Sequence, residues 1–348
     1  MGAASLQAAF QLQQLPILDL SLLQQQSTRA GFIQQLQQTA REIGFFYLVG
    51  HGISSARIQQ MQQLSRQFFA LPQAEKDQIA MIHSRHFRGY SRPNAENTRN
   101  QPDFREQIDI GPELPALQGD NLPLWANMQG PNQWPAHWPE FQEKVTAWQQ
   151  DLRQVAIRLL QAFMLALGQQ PDVLQHLVEG AANELLKLIH YPVADVAQNQ
   201  GVGPHKDSNI LTLLLQDQVG GLQVWSAGAW LDVPYVEDSF IVNIGEILEL
   251  ATNGYLVANP HRVISPTHQD RYSVAYFISP NLFAGEIPVL NLPPELQALA
   301  QGPQSDPLNP LLGNAGENSM KSRLRSHLDV TAKYYPEQLQ LLQLQGRL

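Results

Sequence analysis

The chain has 348 residues, of which 43% are hydrophobic and 15% charged, a balance typical of a folded globular protein rather than a disordered one. Its formal net charge of -9 argues against nucleic acid or an anionic membrane as a partner, since both attract clustered lysine and arginine. The absence of cysteine excludes disulfides, iron–sulfur clusters, cysteine-ligated zinc and a cysteine nucleophile, so any metal must be bound by histidine and carboxylate.

The first half of the sequence predicts mainly helices. A short apolar segment at residues 16–20 and another at 45–49 predict strands, and residues 85–139, rich in proline and tryptophan, predict a long packed loop. Apolar residues at helical spacing predict helices over 28–42, ended by Gly44, from residue 54 to about 69, and over 138–167.

From residue 185 onward the pattern changes to short β-rich segments separated by turn residues. The predicted strands cover residues 185–191, 210–216, 222–225, 230–233, 240–244 and 272–279. Several short strands at this spacing favour a sandwich or jelly roll, so the expected fold class is α+β with flanking helices at both ends. One integrated catalytic unit is expected, with a helical N-terminal region (1–180, including the proline- and tryptophan-rich loop), a β core (181–290) and a C-terminal helical extension (291–348).

The sequence His205-Lys206-Asp207 is the first candidate site. Residues i and i+2 of an extended chain point to one face, so His205 and Asp207 can bind one ion while Lys206 points away. His261 is the best candidate for a third ligand. Two imidazoles and one carboxylate on one face of an octahedron leave three positions open, as in non-haem Fe(II) oxygenases.

The sequence Arg271-Tyr272-Ser273 has the same i, i+2 relation. A guanidinium binds a carboxylate bidentately and the serine hydroxyl adds one donor, so Arg271 and Ser273 are suited to the far carboxylate of a dicarboxylate whose other end chelates the metal. Taken alone, the pair is better interpreted as part of a strand that carries a surface salt bridge.

These motifs occur in an ordered series between about residues 16 and 280. The segment 44–53, Gly-Phe-Phe-Tyr-Leu-Val-Gly-His-Gly-Ile, resembles the N-terminal signature of the isopenicillin N synthase-like branch of the 2-oxoglutarate/Fe(II)-dependent dioxygenases. The similarity continues through Phe87-Arg88-Gly89-Tyr90, His190-Tyr191-Pro192, His205-Lys206-Asp207, Gly220-Gly221-Leu222, Val242-Asn243-Ile244, His261-Arg262-Val263 and Arg271-Tyr272-Ser273.

The resemblance implies a double-stranded β-helix core and a non-haem dioxygenase that uses Fe(II), 2-oxoglutarate and O2. It implies that His205, Asp207 and His261 are the catalytic metal ligands. By the same resemblance, Arg271 and Ser273 would bind 2-oxoglutarate, with Tyr191 beside it. Relatives often have an asparagine two residues before that tyrosine; here Ile189 stands there, which leaves the pose of 2-oxoglutarate open.

The implied reaction is hydroxylation, desaturation or cyclisation of a small molecule with release of succinate and CO2. Arg88, Tyr90, Arg105 and Phe277 are the candidate substrate residues, and a carboxylate-bearing substrate is one interpretation of the arginines. For any single arginine, a structural salt bridge is the favoured interpretation, for example between Arg105 and Glu106 or Asp109.

Two alternative functions stay open from the sequence. One is a 2-oxoglutarate-independent Fe(II) oxidase of the isopenicillin N synthase or aminocyclopropanecarboxylate oxidase type, which succinate measurements would distinguish. The other is a non-catalytic binding protein, which has no need for an intact set of five site residues. Glu246 and Glu249, at helical spacing, are expected on a solvated helix face. No secretory signal or membrane span is recognised, so a cytoplasmic monomer is expected.

Overall fold

The computed structural model describes residues 14–180, 183–195, 200–306 and 309–347. The start of the chain, where a secretory signal was expected to be absent, falls largely in residues 1–13 and lies outside the described residues. None of the helices in the described ranges combines the length and the apolar content that a bilayer crossing requires.

Most helices lie before or after the β core in the sequence, and one, Glu246–Ala251, lies within it. They are α1 (Gln26–Glu42), α2 (Ser55–Phe69), α3 (Gln73–Gln78), α4 (Pro139–Ala166), α5 (Gln175–Val178), α6 (Glu246–Ala251), α7 (Pro294–Gln297), α8 (Ala315–Ser326), α9 (Leu328–Tyr334) and α10 (Pro336–Leu344). Helix α2 begins after Ser54, whose hydroxyl accepts the Arg57 amide, and α4 begins with a proline in its first turn. Within the described ranges, three short 3-10 helices cover Leu20–Gln24, Met81–His83 and Leu124–Met128.

Gly44 ends α1 and turns the chain into the first buried strand, as the sequence predicts. Its φ is +67°, and a Cβ at this position would lie 2.2 Å from the Val257 carbonyl oxygen. Only glycine fits both the left-handed backbone and this close approach.

The strands form two facing sheets and one small hairpin. They are β1 (Ile17–Asp19), β2 (Phe45–Val49), β3 (Gly89–Ser91), β4 (Asn97–Thr98), β5 (Gln101–Pro102), β6 (Glu106–Ile110), β7 (Asn183–Tyr191), β8 (Gln200–His205), β9 (Leu211–Gln216), β10 (Leu222–Ser226), β11 (Ala229–Asp232), β12 (Phe240–Ile244), β13 (His261–Ile264) and β14 (Arg271–Ser279). The 8-stranded sheet has the order β1-β2-β12-β9-β14-β7-β6-β3, the 4-stranded sheet the order β11-β10-β13-β8, and β4 pairs with β5. This arrangement confirms the predicted α+β jelly-roll core.

The N-terminal region contains the two predicted strands, β1 and β2, together with strands that the sequence did not predict. Strands β1, β2, β3 and β6 all belong to the larger sheet, with β2 paired to β12 and β6 paired to β7. The proline- and tryptophan-rich segment, predicted as a loop, also contains β3 to β6. Short strands interrupted by prolines carry little periodicity of their own, and their partners lie far away in the sequence.

The two faces of the larger sheet have different neighbours. Along β14, Val274, Tyr276 and Ile278 join a core shared with α1, α2 and α4, whereas Ala275 joins an interior cluster with residues of the smaller sheet, Val202, Val224 and Val263 among them. Because side chains alternate along a strand, Arg271, Ser273 and Phe277 share the interior face with Ala275. The interior between the sheets is therefore where polar side chains of β14 lie.

The C-terminal helices close one side of this interior. The Arg323 guanidinium on α8 lies 2.7 Å from the Asp109 carboxylate on β6. The aromatic rings of Phe87 and Tyr335 stack with their centroids 5.6 Å apart. Helix α8 is therefore attached directly to the strand region that precedes the β core.

Candidate functional site

The side chains of His205, Asp207 and His261 converge at one end of the β8–β13 strand pair in the smaller sheet. His205 ends β8 and His261 begins β13, and the two residues are direct partners in that antiparallel pair. The Asp207 Oδ1 lies 3.5 Å from His205 Nε2 and 3.8 Å from His261 Nε2. One ligand atom from each residue lies within 4.8 Å of the other two, a spacing that can hold a metal ion.

Neighbouring polar groups orient these ligands. The second oxygen of Asp207, Oδ2, accepts hydrogen bonds from Thr212 Oγ1 at 2.5 Å and from Asn243 Nδ2 at 2.8 Å. The Nδ1 of His205 lies 2.8 Å from the carbonyl oxygen of Gly203. These contacts leave Asp207 Oδ1 and His205 Nε2 available to a metal, the usual arrangement around a ligating aspartate and histidine.

The sequence did not identify Thr212 or Asn243 as site residues. Both lie on the interior face of neighbouring strands, where Asn243 of β12 is the cross-strand partner of Thr212 of β9. Asn243 belongs to one of the motifs that carry the family resemblance, and this was the one available indication. Thr212 carried none.

The electrostatics of Asp207 and His261 fit a divalent cation. For His205, burial opposes protonation, but the contact with Asp207 outweighs it and raises the pKa of this imidazole, so a metal ion would have to displace a proton there. Burial and the adjacent His205 imidazole lower the pKa of His261 to about 4, so this imidazole is neutral near pH 7. Burial opposes ionisation of Asp207, but the imidazoles of His261 and His205 outweigh it and hold the pKa of this carboxyl well below its usual range. A neutral imidazole and a carboxylate are the protonation states that metal binding requires.

Arg271 and Ser273 lie together on the interior face of β14. Arg271 is 1% exposed, and its Nη1 lies 3.3 Å from Ser273 Oγ. Its Nε and Nη2 have no hydrogen-bond partner among the described residues. The guanidinium carbon lies 4.7 Å from the centre of the Tyr191 ring, on the strand partner of Arg271. A buried, unpaired guanidinium is costly, so this pocket fits an anionic ligand.

The candidate substrate residues separate into two groups. Phe277 lies on the interior face, opposite Thr212, and Arg105 binds Glu96 at 2.6 Å inside the protein. The Arg88 guanidinium instead donates to main-chain oxygens of the loops around it, including that of Met128 at 3.1 Å. Tyr90 packs in the helix-facing core and donates to Glu106.

The expected salt-bridge partners of Arg105 were wrong. Arg105 pairs with Glu96 and Asp103 rather than with Glu106 or Asp109. Glu106 points to the other face of β6, where it binds Lys76 at 2.8 Å.

The expectation that Glu246 and Glu249 lie on a solvated helix face was also wrong, because each residue is only 2% exposed. The helix that carries them, α6, begins directly behind the site, and the Glu246 amide donates to the Asp207 carbonyl at 2.8 Å. Lys206, whose side chain was expected to point away from the metal ligands, lies 3.1 Å from the Glu249 carboxylate.

Two family models match the chain, and together they cover most of it. Residues 15–137 match the N-terminal region of the non-haem dioxygenases described for morphine synthesis. Residues 182–280, which contain all three convergent ligands together with Arg271 and Ser273, match the 2OG-Fe(II) oxygenase superfamily.

Curated relatives extend over nearly the whole chain. A 2-oxoglutarate-dependent dioxygenase of Dothideomycetidae sp. (strain 11243) is 33% identical over 343 residues, which cover 93% of each protein. A homoarginine-6-hydroxylase of Arabidopsis thaliana is 34% identical over 286 residues, covering 78% of this chain and 86% of the relative.

Solved structures show the same fold. A putative 2OG-Fe(II) oxygenase family protein of Caulobacter crescentus is 28% identical, with a TM-score of 0.72 over 89% of this chain and 98% of that one. A full-length Neurospora crassa protein in complex with alpha-KG and 5-formyluracil aligns with a TM-score of 0.72 at 24% identity, over 89% and 96% of the two chains. The chain therefore belongs to the 2-oxoglutarate/Fe(II) oxygenase superfamily and is an oxidoreductase that uses Fe(II), 2-oxoglutarate and O2 to oxidise a small molecule, releasing succinate and CO2.

Proposed function

We propose that His205, Asp207 and His261 bind the Fe(II) of this enzyme and that Arg271 and Ser273 bind the distal carboxylate of 2-oxoglutarate. The observation that carries the second assignment is the buried guanidinium of Arg271, whose Nε and Nη2 have no partner in the described part of the chain. Bound iron supplies the activation of O2 for oxidation of a C–H bond.

The protein's own part in the reaction is orientation. Thr212 and Asn243 bind Asp207 Oδ2, which directs Oδ1 toward the metal position. The Tyr191 ring lies beside the Arg271 guanidinium, with 4.7 Å between the ring centre and the guanidinium carbon, and limits its movement. Ile189, the cross-strand partner of Ser273, offers an apolar side chain, so this position of β7 gives no side-chain hydrogen bond to 2-oxoglutarate.

We further propose that the reaction is hydroxylation of a small polar substrate that carries a carboxylate. The relatives named homoarginine-6-hydroxylase support this choice, with 34% identity over 286 residues for one from Arabidopsis thaliana. Arg105 and Phe277 lie on the interior side and stay candidates for substrate contact, whereas Arg88 and Tyr90 are engaged elsewhere. The cytoplasmic location, the monomeric state and the division into regions at residues 180 and 290 stay predictions.

Anaerobic titration tests the iron assignment directly. Adding 2-oxoglutarate to the Fe(II)-loaded protein should produce a weak visible charge-transfer band, and Asp207→Ala should remove it. Asp151→Ala, at an exposed ion pair with Arg57, serves as the matched control and should leave the band unchanged. A normal band in Asp207→Ala would show that the metal is bound elsewhere.

Turnover assays test the reaction. L-homoarginine should stimulate succinate formation, with a hydroxylated product at one equivalent per succinate. Oxidation of this substrate without consumption of 2-oxoglutarate would contradict the proposal and would favour an oxidase on the same scaffold. A dehydrogenated or cyclised product would exclude hydroxylation.

A further inference from the structure

Five buried ionisable side chains form a closed series of contacts, here called the charge ring, next to the candidate iron site. Around the ring, Lys187 lies 2.8 Å from Glu96 and 3.7 Å from Asp109, Asp109 lies 2.7 Å from Arg323, Arg323 lies 3.3 Å from His327, and His327 lies 3.6 Å from Glu96. Each of these side chains is at most 11% exposed.

The charge ring is assembled from separate parts of the chain. Lys187 lies on the interior face of β7, as the cross-strand partner of Asp109 on β6 and of Ala275 on β14. Glu96 precedes β4, and α8 contributes Arg323, with His327 at its C-terminal end. No local sequence feature requires this combination.

Two contacts connect the charge ring to the iron ligands. Glu96 shares Arg105 with Asp103, and the Asp103 carboxylate accepts the Gly203 amide at 3.3 Å, on the strand that ends at His205. On the other side, Ser322 of α8 lies 3.0 Å from the hydroxyl of Ser208, the residue after Asp207. These contacts link the surroundings of the ring to the chain on both sides of the His205–Asp207 segment.

The charges of the ring balance. Burial opposes ionisation of Glu96, but Lys187 and Arg105 outweigh it and hold the pKa of this carboxyl well below its usual value. Burial lowers the pKa of His327 to about 4, so this imidazole is neutral near pH 7. Two carboxylates and two cations remain. Buried ion pairs contribute little net stability compared with apolar packing, so the ring is not explained by stability alone.

Two polar atoms beside the ring lack a partner in the described ranges. The Gln107 side chain is 1% exposed; its amide nitrogen donates to Asp109 at 2.7 Å, but its Oε1 accepts no hydrogen bond. Arg105 donates through Nη2 to Glu96, but its Nε has no acceptor. Buried polar atoms are normally paired, so one free acceptor and one free donor here indicate a polar ligand.

We propose that the charge ring is the substrate subsite and that it selects a small molecule with a carboxylate at one end and a cationic nitrogen at the other. The substrate carboxylate binds Lys187 and Arg323, and its cationic group binds Glu96, on the side linked to His205. When a ligand binds, ion pairs of the ring have to open. A ligand with both charges then provides a counterion for the cations and for the carboxylate, whereas a ligand with one charge leaves a buried ion without a counterion. This inference rests on the proposed position of the iron and 2-oxoglutarate.

Calorimetric titration of the full chain, loaded anaerobically with Fe(II) and 2-oxoglutarate so that no turnover occurs, tests the selection. The probes with both charges are L-arginine, L-lysine and 5-aminopentanoate. Agmatine and cadaverine are arginine and lysine without the carboxylate, and pentylamine has a methyl group in place of the carboxylate of 5-aminopentanoate. L-citrulline is the counterpart of arginine without the guanidinium charge. At least one probe with both charges should bind at least about tenfold more tightly than its counterparts.

Variants of Lys187 and Glu96 test which ring residue binds which end of the substrate. Lys187→Met should remove the preference for L-arginine over agmatine, and Glu96→Gln should remove the preference for L-arginine over L-citrulline. The matched controls are Lys144→Met and Glu140→Gln, from an exposed ion pair on α4, which should keep both preferences. Thermal unfolding of each variant shows whether it folds, and the probe pairs test the wild-type protein without any variant.

The proposal is overturned if none of the three probes with both charges binds, or if the counterparts bind equally well. In that case an intact charge-transfer band on adding 2-oxoglutarate shows that the iron and cosubstrate assignments survive. If the wild-type protein gives no charge-transfer band, the subsite proposal and the iron and 2-oxoglutarate assignments are all overturned.

Discussion

The Arg271 pocket and the charge ring bury cations in different ways. Arg271 has no carboxylate within ion-pair distance among the described residues, and two of its nitrogens are unpaired. In the charge ring, by contrast, Lys187 and Arg323 each lie beside a carboxylate. A buried cation without a counterion favours an anionic ligand, whereas a balanced set of buried ions fits a ligand that carries both a positive and a negative charge.

The largest effect should come from loss of the Fe(II) ion, on which both the Arg271 pocket and the charge ring depend for their proposed roles. Asp207→Ala deletes the only carboxylate of the proposed iron site, so we expect turnover to fall by about three orders of magnitude or more. Succinate formation measured beside metal content checks this. Iron content and turnover equal to the wild type would contradict the assignment.

The next effect separates the Arg271 pocket from the ring. Arg271→Ala should raise the KM for 2-oxoglutarate at least about thirtyfold, since a lost buried ion pair costs about 2–5 kcal/mol. Iron affinity should change little. Arg271→Lys should recover only part of the loss, because an ammonium cannot bind a carboxylate bidentately.

Steady-state kinetics with 2-oxoglutarate varied at saturating iron measure this effect. Arg99→Ala, at an exposed ion pair on the β4–β5 hairpin, provides the control. An unchanged KM for 2-oxoglutarate in Arg271→Ala would mean that the orphaned guanidinium binds something else.

A smaller effect should follow from loosening an iron ligand without removing it. Thr212→Val keeps the shape of the side chain but deletes the hydrogen bond to Asp207 Oδ2, which is 2.5 Å long. We expect iron affinity to fall about tenfold, the lower end of the range for groups that orient a metal ligand. Competition with a chelator measures it, with Thr146→Val on α4 as control. Unchanged affinity would leave orientation of Asp207 to Asn243 alone.

The smallest effect on activity should come from Arg88. Its guanidinium donates to the carbonyl oxygens of His86 and Met128, at 3.1 Å each, so Arg88→Met should lower the free energy of unfolding by about 2 kcal/mol. Values of KM for 2-oxoglutarate and substrate should be unchanged where the protein is folded. Urea unfolding and kinetics together check this, and an altered substrate KM at full stability would restore Arg88 to the substrate site.

Much of the site was predictable because its motifs depend on local alternation. His205 and Asp207 share a face, and so do Arg271 and Ser273, whatever the rest of the fold does. The position of Phe277 on the interior face follows from the same alternation. The partners of Arg105 were not predictable, because this residue precedes β6, the neighbouring Glu106 binds Lys76 instead, and the acid that Arg105 binds, Glu96, lies before β4.

The sequence by itself determined the two i, i+2 pairs, the glycine turn at Gly44 and the ordered motifs that indicate the family. Only the tertiary structure decided that β8 lies beside β13, which makes His205 and His261 neighbours. It also decided that Thr212 and Asn243 orient Asp207 and that segments far apart in the chain meet in the charge ring. The physical reason is that strand pairing and helix docking depend on hydrogen bonds and burial across the whole chain, which local periodicity does not encode.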